Sequence, residues 1–350
     1  MPRQLRHNVE GGWYHITTRG MWRKDIFEND RDREHFIELL SMMVERYCVV
    51  LHAYVLMDNH YHLLIETPEA NASRALQWLN LSYAAWFNAK HGCSGPVFQA
   101  RFKSIPVDGE GSWALTCSVY IHLNPVRIQS LGQGKEERAR EKAGFMQEGP
   151  TAEQVKARLA VLRKHPWSSY HAYAVYASKP DWLTCDRLWR HAGQEKGADP
   201  KADYRLYIED YLRQGVEEGV FERLTAALAI GGTSFIEGLR RKVPRKAGSE
   251  TNARAWRKLL AFDTVVKAVE HVKGEPWQDF ADRRGDWGRD LALYVARTRS
   301  GRTLAELGEL SGMSIHGVSK AVQRMCVRLS KDKKLNRFLR KVMLALEEKG

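Results

Sequence analysis

Two histidines in the run HYHLLIE, His60 and His62, stand one residue apart, and in a β-strand that spacing puts both imidazoles on one face with Leu64 and Glu66. Tyr61, Leu63 and Ile65 then face the other way. Neutral imidazoles so placed can ligate one divalent ion, with an amide or carboxylate oxygen completing a partly open site. Alone, such a pair is more often two structural or surface histidines than a metal site. Further along, SVYIHLNPVR sets Tyr120 and Asn124 four residues apart at the end of a helix, on one face. If that face meets the sheet at the histidines, Asn124 becomes a third metal ligand and Tyr120 stands beside a metal-bound phosphate.

That combination is suited to breaking a nucleic-acid strand. A divalent ion polarises a phosphodiester and offsets charge on its non-bridging oxygens. A tyrosine, with an unperturbed pKa near ~10, attacks when a nearby metal or electropositive surface favours the phenolate. The resulting tyrosine ester conserves the energy of the broken bond, so the strand can be rejoined or transferred without ATP. Against this reading, a helical tyrosine ordinarily packs its ring in the core. Other chemistries fit less well. A two-histidine phosphoesterase would want two His-x-Ser/Thr motifs, and the chain offers only HIT at 15–17. A serine or cysteine hydrolase would want a nucleophile elbow, and no GxSxG or GxCxG occurs.

The elements that must position these residues can be read along the chain. Gly12 to Gly20 has strand composition closed by glycine. ENDRDREHFIELLSMMVERY opens on Asn29 and Asp30 as cap candidates and spaces Phe36, Leu40, Met43, Val44 and Tyr47 as a helix. CVVLHAYVLM and HYHLLIET, joined by Asp58-Asn59, read as a hairpin. Ser73 to Lys90 forms a second helix with Leu76, Leu79, Tyr83, Trp86 and Phe87 on one face, and GCSGP breaks it. VFQARFKSIPV returns to strand, and a helix from Ser112 to Leu123 stops at Pro125. The order β-α-β-β-α-β followed by a helix predicts an α+β, ferredoxin-like antiparallel sheet with helices on one face and the other face open for a ligand.

Past Pro125 the insert GQGKEERAREKAG reads as a solvated helix or loop. HPWSSYHAY and DWLTCDRLWRH look like tail pieces packing on the first domain. From about Pro200 to Arg299 the chain reads as mostly helical, with one basic patch, LRRKVPRK. In the last fifty residues, TLAELGELSGMSIHGVSKAVQRM reads as helix, turn at Gly312, helix, with Leu304, Leu307, Ile315, Val318, Val322 and Met325 inward. As a helix-turn-helix its second helix would expose Ser319, Lys320, Gln323 and Arg324 toward DNA; two ordinary antiparallel helices are the alternative. The expected divisions are 1–180 for the catalytic domain, 181–294 for a helical linker region and 295–350 for the helix-turn-helix.

Composition sets bounds. The 350 residues, 43% of them hydrophobic, suffice for two cores, and a net charge of +13 favours a polyanionic partner. No apolar run is long enough to span a membrane, and the start MPRQLRHNVEGG has no signal-peptide character, which points to the cytoplasm. Five scattered cysteines, none spaced CxxC, read as reduced thiols.

MDNHYHLLIE, then AWFNAKHGCSGPVFQARFKS, then YIHLNPVR and the later PWSSY, in that order over roughly residues 10–175, resemble the REP-associated tyrosine transposases. These are relatives of the single-tyrosine insertion-sequence transposases. The resemblance implies an HUH fold, a Mg2+ or Mn2+ cofactor, and cleavage of single-stranded hairpin DNA through a 5′-phosphotyrosine that leaves a free 3′-OH. It sets His60 and His62 on the metal-binding pair, Tyr120 on the nucleophile and Asn124 on the third ligand. The C-terminal segment is similar to the helix-turn-helix of the chromosomal replication initiator, which implies binding of flanking duplex. The expected partner is thus hairpin DNA, bound by a monomer or homodimer. Arg19, Arg23, Lys24, Arg101 and Lys103, with Lys320 and Arg324 at the C-terminus, are candidate DNA contacts, and Trp13, Trp22 or Phe102 candidate stacking rings. The alternative function is a regulator that binds repeat hairpins without cutting. A third, a hydrolase of another phosphate ester, would form no covalent adduct.

Overall fold

The computed structural model describes residues 8–99, 101–110, 112–127, 150–193, 199–214, 229–242, 262–283, 286–299 and 304–348. The chain divides into two compact units, one from Arg6–Ala139 with Gln147–Leu239 and one centred on Arg240–Gly350.

The first unit is built on a four-stranded antiparallel sheet: β1 (Gly12–Arg19), β2 (Val50–Met57), β3 (His60–Thr67) and β4 (Lys103–Val107), in the order β2-β3-β1-β4. Helix α1 (Asp30–Tyr47) starts at Asn29, whose side chain accepts from the Asp32 backbone while Asp32 returns the bond, a capping box that satisfies two of the helix's orphan donors. Helix α2 (Ala72–His91) stops at Gly92, whose φ of +60° suits a residue without a Cβ. Both cover the face that carries Tyr61: Phe36 of α1 lies 4.8 Å from its ring, and its hydroxyl donates to Asn80 of α2 at 2.6 Å. The sequence order and the sheet order together make a ferredoxin-like α+β fold.

Helix α3 (Ser112–Leu123) lies on the opposite face, the one carrying the histidines, and every residue from Ala114 to Leu123 is buried. A helix buried all round needs cover on its outer side too. Here α4 (Ala152–Lys164) packs on the Asn124–Val126 turn that follows α3, while α5 (Asp186–Gly193) and α6 (Pro200–Gln214) supply neighbours, with the segment around Ser169. On that outer side His122 Nε2 meets Ser169 Oγ at 2.7 Å and His122 Nδ1 meets the Tyr204 hydroxyl at 2.8 Å. Ser169 Oγ donates to the Tyr54 carbonyl at 3.2 Å, so it accepts from Nε2–H, leaving Nδ1 to accept from Tyr204. The network ties α3 to the β2 edge and to α6 at once. PWSSY runs along that edge, with Val55 bridged to Ser168 and Leu51 to Leu183, while Ile230 pairs with Val107 at the β4 edge. Neither outer strand is left as a bare row of donors and acceptors.

Burial pushes His122 down to about 3, and burial followed by the charge of Arg19 pushes His60 down to about 4. Both are neutral in the native state, so the unfolded chain binds more protons as pH falls below ~6.5. Their contribution is complete above that pH and is lost toward pH 4 and 3. We expect urea midpoints that are level between about pH 6.5 and 8 and fall steadily below; a level curve down to pH 4 would contradict these environments.

The second unit is helical: α7 (Phe262–Lys273), α8 (Trp287–Arg299), α9 (Leu304–Ser311), α10 (Ile315–Lys331) and α11 (Lys333–Glu348). They share a core that includes Val269, Leu291, Val295, Leu307, Val318, Met325 and Val342. The turn between α9 and α10 has Gly312 at φ +68° and Ser314 as N-cap, accepting from Gly317 N–H at 3.1 Å. Leu307, Val318 and Met325 are inward, as their spacing predicts, with Leu304 and Val322 partly buried. No described helix is long and apolar enough to cross a membrane. The charged insert GQGKEERAREKAG and the latter half of LRRKVPRK lie outside the described residues.

Candidate active site

β3 delivers His60 and His62 to the face covered by α3, through the alternation of a strand that begins directly after the Asp58-Asn59 turn. Their ring centroids are 5.1 Å apart, with planes at 81°. His60 Nδ1 meets Asn59 Oδ1 at 2.7 Å; a carboxamide oxygen only accepts, so the proton is on Nδ1 and Nε2 carries the lone pair. Asn124 Nδ2 donates to the Tyr120 carbonyl at 3.1 Å, which orients the amide at the end of α3.

His62 is buried and held by the neighbouring strand. Its Nδ1 is 2.9 Å from His15 Nε2 and 3.1 Å from Thr17 Oγ1, with Thr17 its direct partner across the β1–β3 register. Burial first, then the charges of His15, His60, Arg19 and Arg127, hold its imidazolium form well out of reach at neutral pH. Two neutral imidazoles are therefore gathered on one patch, and the Asn124 amide stands at the end of the helix that carries Tyr120. The chemistry of this donor set fits a divalent ion that accepts mixed nitrogen and oxygen ligands. Among the described residues no group of three or more His, Cys, Asp or Glu side chains could hold a metal.

Tyr120 projects from α3 into the same patch. Its ring stands edge-on to His62 at 5.6 Å and to His15 at 5.6 Å, and the Arg127 guanidinium lies 5.0 Å from its ring centroid. The phenol is thus flanked by the histidines and by a fixed positive charge. His60, His62, Tyr120 and Asn124 are brought together.

The remaining candidates are dispersed. Arg19 is exposed at the end of β1, paired in register with His60. Arg23 and Lys24 are exposed on the following turn, Arg101 is exposed, and Lys103 is half-buried on β4, its ammonium pKa lowered by burial. Trp13 is buried and stacks on His52 at 3.8 Å, and Phe102 is buried in the same core, so of the three candidate stacking rings only Trp22 is exposed. In the second unit Lys320 is exposed, whereas Arg324 is engaged with the buried Asp290 of α8 at 3.1 Å.

Four residues of the site were not singled out by the sequence pattern: His15, Thr17, Asn59 and Arg127. His15 was visible only as part of HIT, and Asn59 only as a turn residue. Period-two alternation does place His15, Thr17 and Arg19 on one face, but the pairing of that face with His62 depends on the β1–β3 register.

Residues 8–124 match the family described as Transposase IS200 like. Among solved structures, a REP-associated tyrosine transposase bound to a REP hairpin is similar at 16% identity, with 53% of this chain and 92% of that chain covered and a TM-score of 0.35. Among curated proteins none matches. The stretch similar to that family runs from the start of β1 through α3 to Asn124 and contains both histidines, the tyrosine and the asparagine.

Proposed function

We propose that the first unit is a metal-dependent single-stranded DNA endonuclease and strand transferase, acting on repeat-associated hairpins through a covalent bond between Tyr120 and a 5′ phosphate. The observation that carries this reading is the Tyr120 ring packed edge-on to His62, with Asn124 at the same helix end donating to the Tyr120 carbonyl. A domain that only bound hairpins would need no phenol fixed against two neutral imidazoles.

In this reading His60, His62 and Asn124 would hold Mg2+ or Mn2+. When bound, the ion polarises the scissile phosphodiester and offsets charge on its non-bridging oxygens. Arg127 holds the tyrosine ring and sets a positive charge beside the developing phenolate. Arg19, close to both histidines, meets the phosphate chain. Attack by Tyr120 Oη forms a phosphorus–oxygen bond and breaks the one to the 3′ oxygen. The phenol's proton ends, net, on that oxygen, giving a free 3′-OH. A second 3′-OH reverses the step on the phosphotyrosine and joins the strand elsewhere.

Labelled single-stranded hairpin DNA incubated with the protein and Mg2+ or Mn2+ should give, on a denaturing gel, a band retarded by covalent protein and a shorter free product. Both should vanish in EDTA. A shorter product without retarded DNA would favour simple hydrolysis, and unchanged DNA would favour a non-cleaving regulator.

The bond between His62 and His15 supports a further prediction. For His62 Nε2 to hold a metal, Nδ1 must carry the proton, so His15 Nε2 and Thr17 Oγ1 act as acceptors. His15→Phe removes the imidazole acceptor while keeping a ring of similar shape. We expect Mn2+ affinity, followed by the spectroscopic signal of the free ion, to weaken about 10- to 100-fold, with His15→Gln recovering part of it. An unchanged Mn2+ titration would contradict the orientation role.

A further inference from the structure

We infer that Trp22 is a stacking platform for an unpaired DNA base next to the metal-binding strand. The inference rests on the nuclease reading for the identity of the ligand, and on local geometry for its place.

Trp22 is 82% exposed, the most exposed of the large hydrophobic side chains among the described residues. Its backbone is left-handed, φ 56° and ψ 20°, and Arg23 follows at φ 63°. Side chains other than Gly, Asn and Asp rarely occupy that region, because the Cβ crowds the following carbonyl. Two in succession persist only where the surroundings impose them, and such strain gathers at functional positions.

The surroundings are explicit. Gly20 N–H donates to the Asn59 carbonyl at 2.8 Å, Met21 N–H to the Val97 carbonyl at 2.9 Å, and Asn59 Nδ2 to the Arg23 carbonyl at 3.2 Å. A Cβ at Gly20 would collide with the Lys24 carbonyl, so the turn closes tightly only with glycine there. Asn59, the residue clamping both ends of this turn, also fixes the ring of His60. The turn that raises the indole into solvent is thus joined through one side chain to the proposed metal site.

The chemistry around the ring selects the ligand. Arg19, Arg23 and Lys24 are exposed on the same few residues, a cationic surround suited to a phosphate chain and unsuited to an apolar protein groove. An aromatic plane amid cations is the arrangement that holds single-stranded nucleic acid, whatever the base.

The test compares fluorescein-labelled oligo(dT) with an abasic oligomer of equal length and charge, titrated by anisotropy in EDTA so that no cleavage occurs. The full-length protein should bind oligo(dT) more tightly, and Trp22→Ala should reduce that preference about 10-fold while leaving the abasic affinity in place. Trp22→Phe should keep most of it. Trp22→Gly, which relieves the left-handed strain, should lose the preference yet unfold at the same or a higher temperature. A preference that survives both Trp22→Ala and Trp22→Gly overturns the inference, as does an equal loss on both oligomers. Because the titration needs neither metal nor Tyr120, it is separate from adduct formation: a protein that makes no adduct but shows this pattern sinks the nuclease reading alone.

Discussion

Tyr120→Phe should abolish the covalent protein–DNA adduct and lower strand cleavage by about 1,000-fold or more, the scale on which removal of a nucleophile acts. Binding of the uncleaved hairpin and of Mn2+ should be unchanged. The separation follows from what the substitution leaves behind. The phenylalanine ring still packs edge-on to His15 and His62, the backbone carbonyl of residue 120 still accepts from Asn124 Nδ2, and α3 is still pinned on its outer side by His122. Only the oxygen that would bond to phosphorus is gone. A structural tyrosine would behave differently, losing unfolding temperature and affinity along with activity. Denaturing gels, anisotropy and thermal unfolding on the same preparation distinguish the two, and cleavage that survives the substitution would sink the nucleophile assignment.

The second large effect is expected from His60→Ala combined with His62→Ala. Cleavage and Mn2+ binding should both fall below detection, while hairpin binding in EDTA persists, since phosphate contacts do not need the ion. Some stability will be lost. His62 is buried, and its removal leaves His15 and Thr17 short of a partner, at a cost of about 1–3 kcal/mol. That is small beside the cohesion of a core in which Phe36, Tyr61, Leu63 and Tyr83 lie fully buried, so unfolding should stay cooperative. Retained cleavage in the double variant would overturn the metal site; a collapsed circular dichroism spectrum would show that the pair is structural.

These predictions draw on features that differ in how visibly the chain encodes them. The facing of His60 and His62 follows from the two-residue period of a strand, and the start of that strand from Asp58-Asn59, so both were legible locally. The same holds for α1 and α2, whose apolar positions recur at helical spacing and whose ends carry Asn29 and Gly92. Tyr120 and Asn124 share a helix face for the same reason. Burial of the candidate rings was not legible. Trp13 and Phe102 differ little in type from Trp22, yet only packing decides that the first stacks on His52, the second joins the core and the third is left in solvent.

Contacts across long stretches of chain were hidden for a different reason. His15 reaches His62 through strand register, and a slip of one residue would send it to the other face. The environment of α3 was harder still. Its sequence is apolar nearly all round, so periodicity names no core-facing stripe, and the residues that complete its outer side, Ser169 and Tyr204, come from segments read only as a tail piece and as part of a mostly helical stretch. In the second unit the turn at Gly312 follows from glycine's tolerance of positive φ, but the engagement of Arg324 by Asp290 joins helices far apart in sequence. Of the two residues expected from the sequence to contact flanking duplex, Lys320 is exposed and Arg324 is the one engaged by Asp290.

The most direct measurement is to trap the protein on a labelled hairpin with Mn2+, digest it, and identify by mass spectrometry the peptide that carries nucleotide. A 5′-phosphate on Tyr120, absent in EDTA and absent when His60 and His62 are alanine, is the predicted result. Nucleotide on another residue, or complete cleavage with no modified peptide, would contradict the account at its centre.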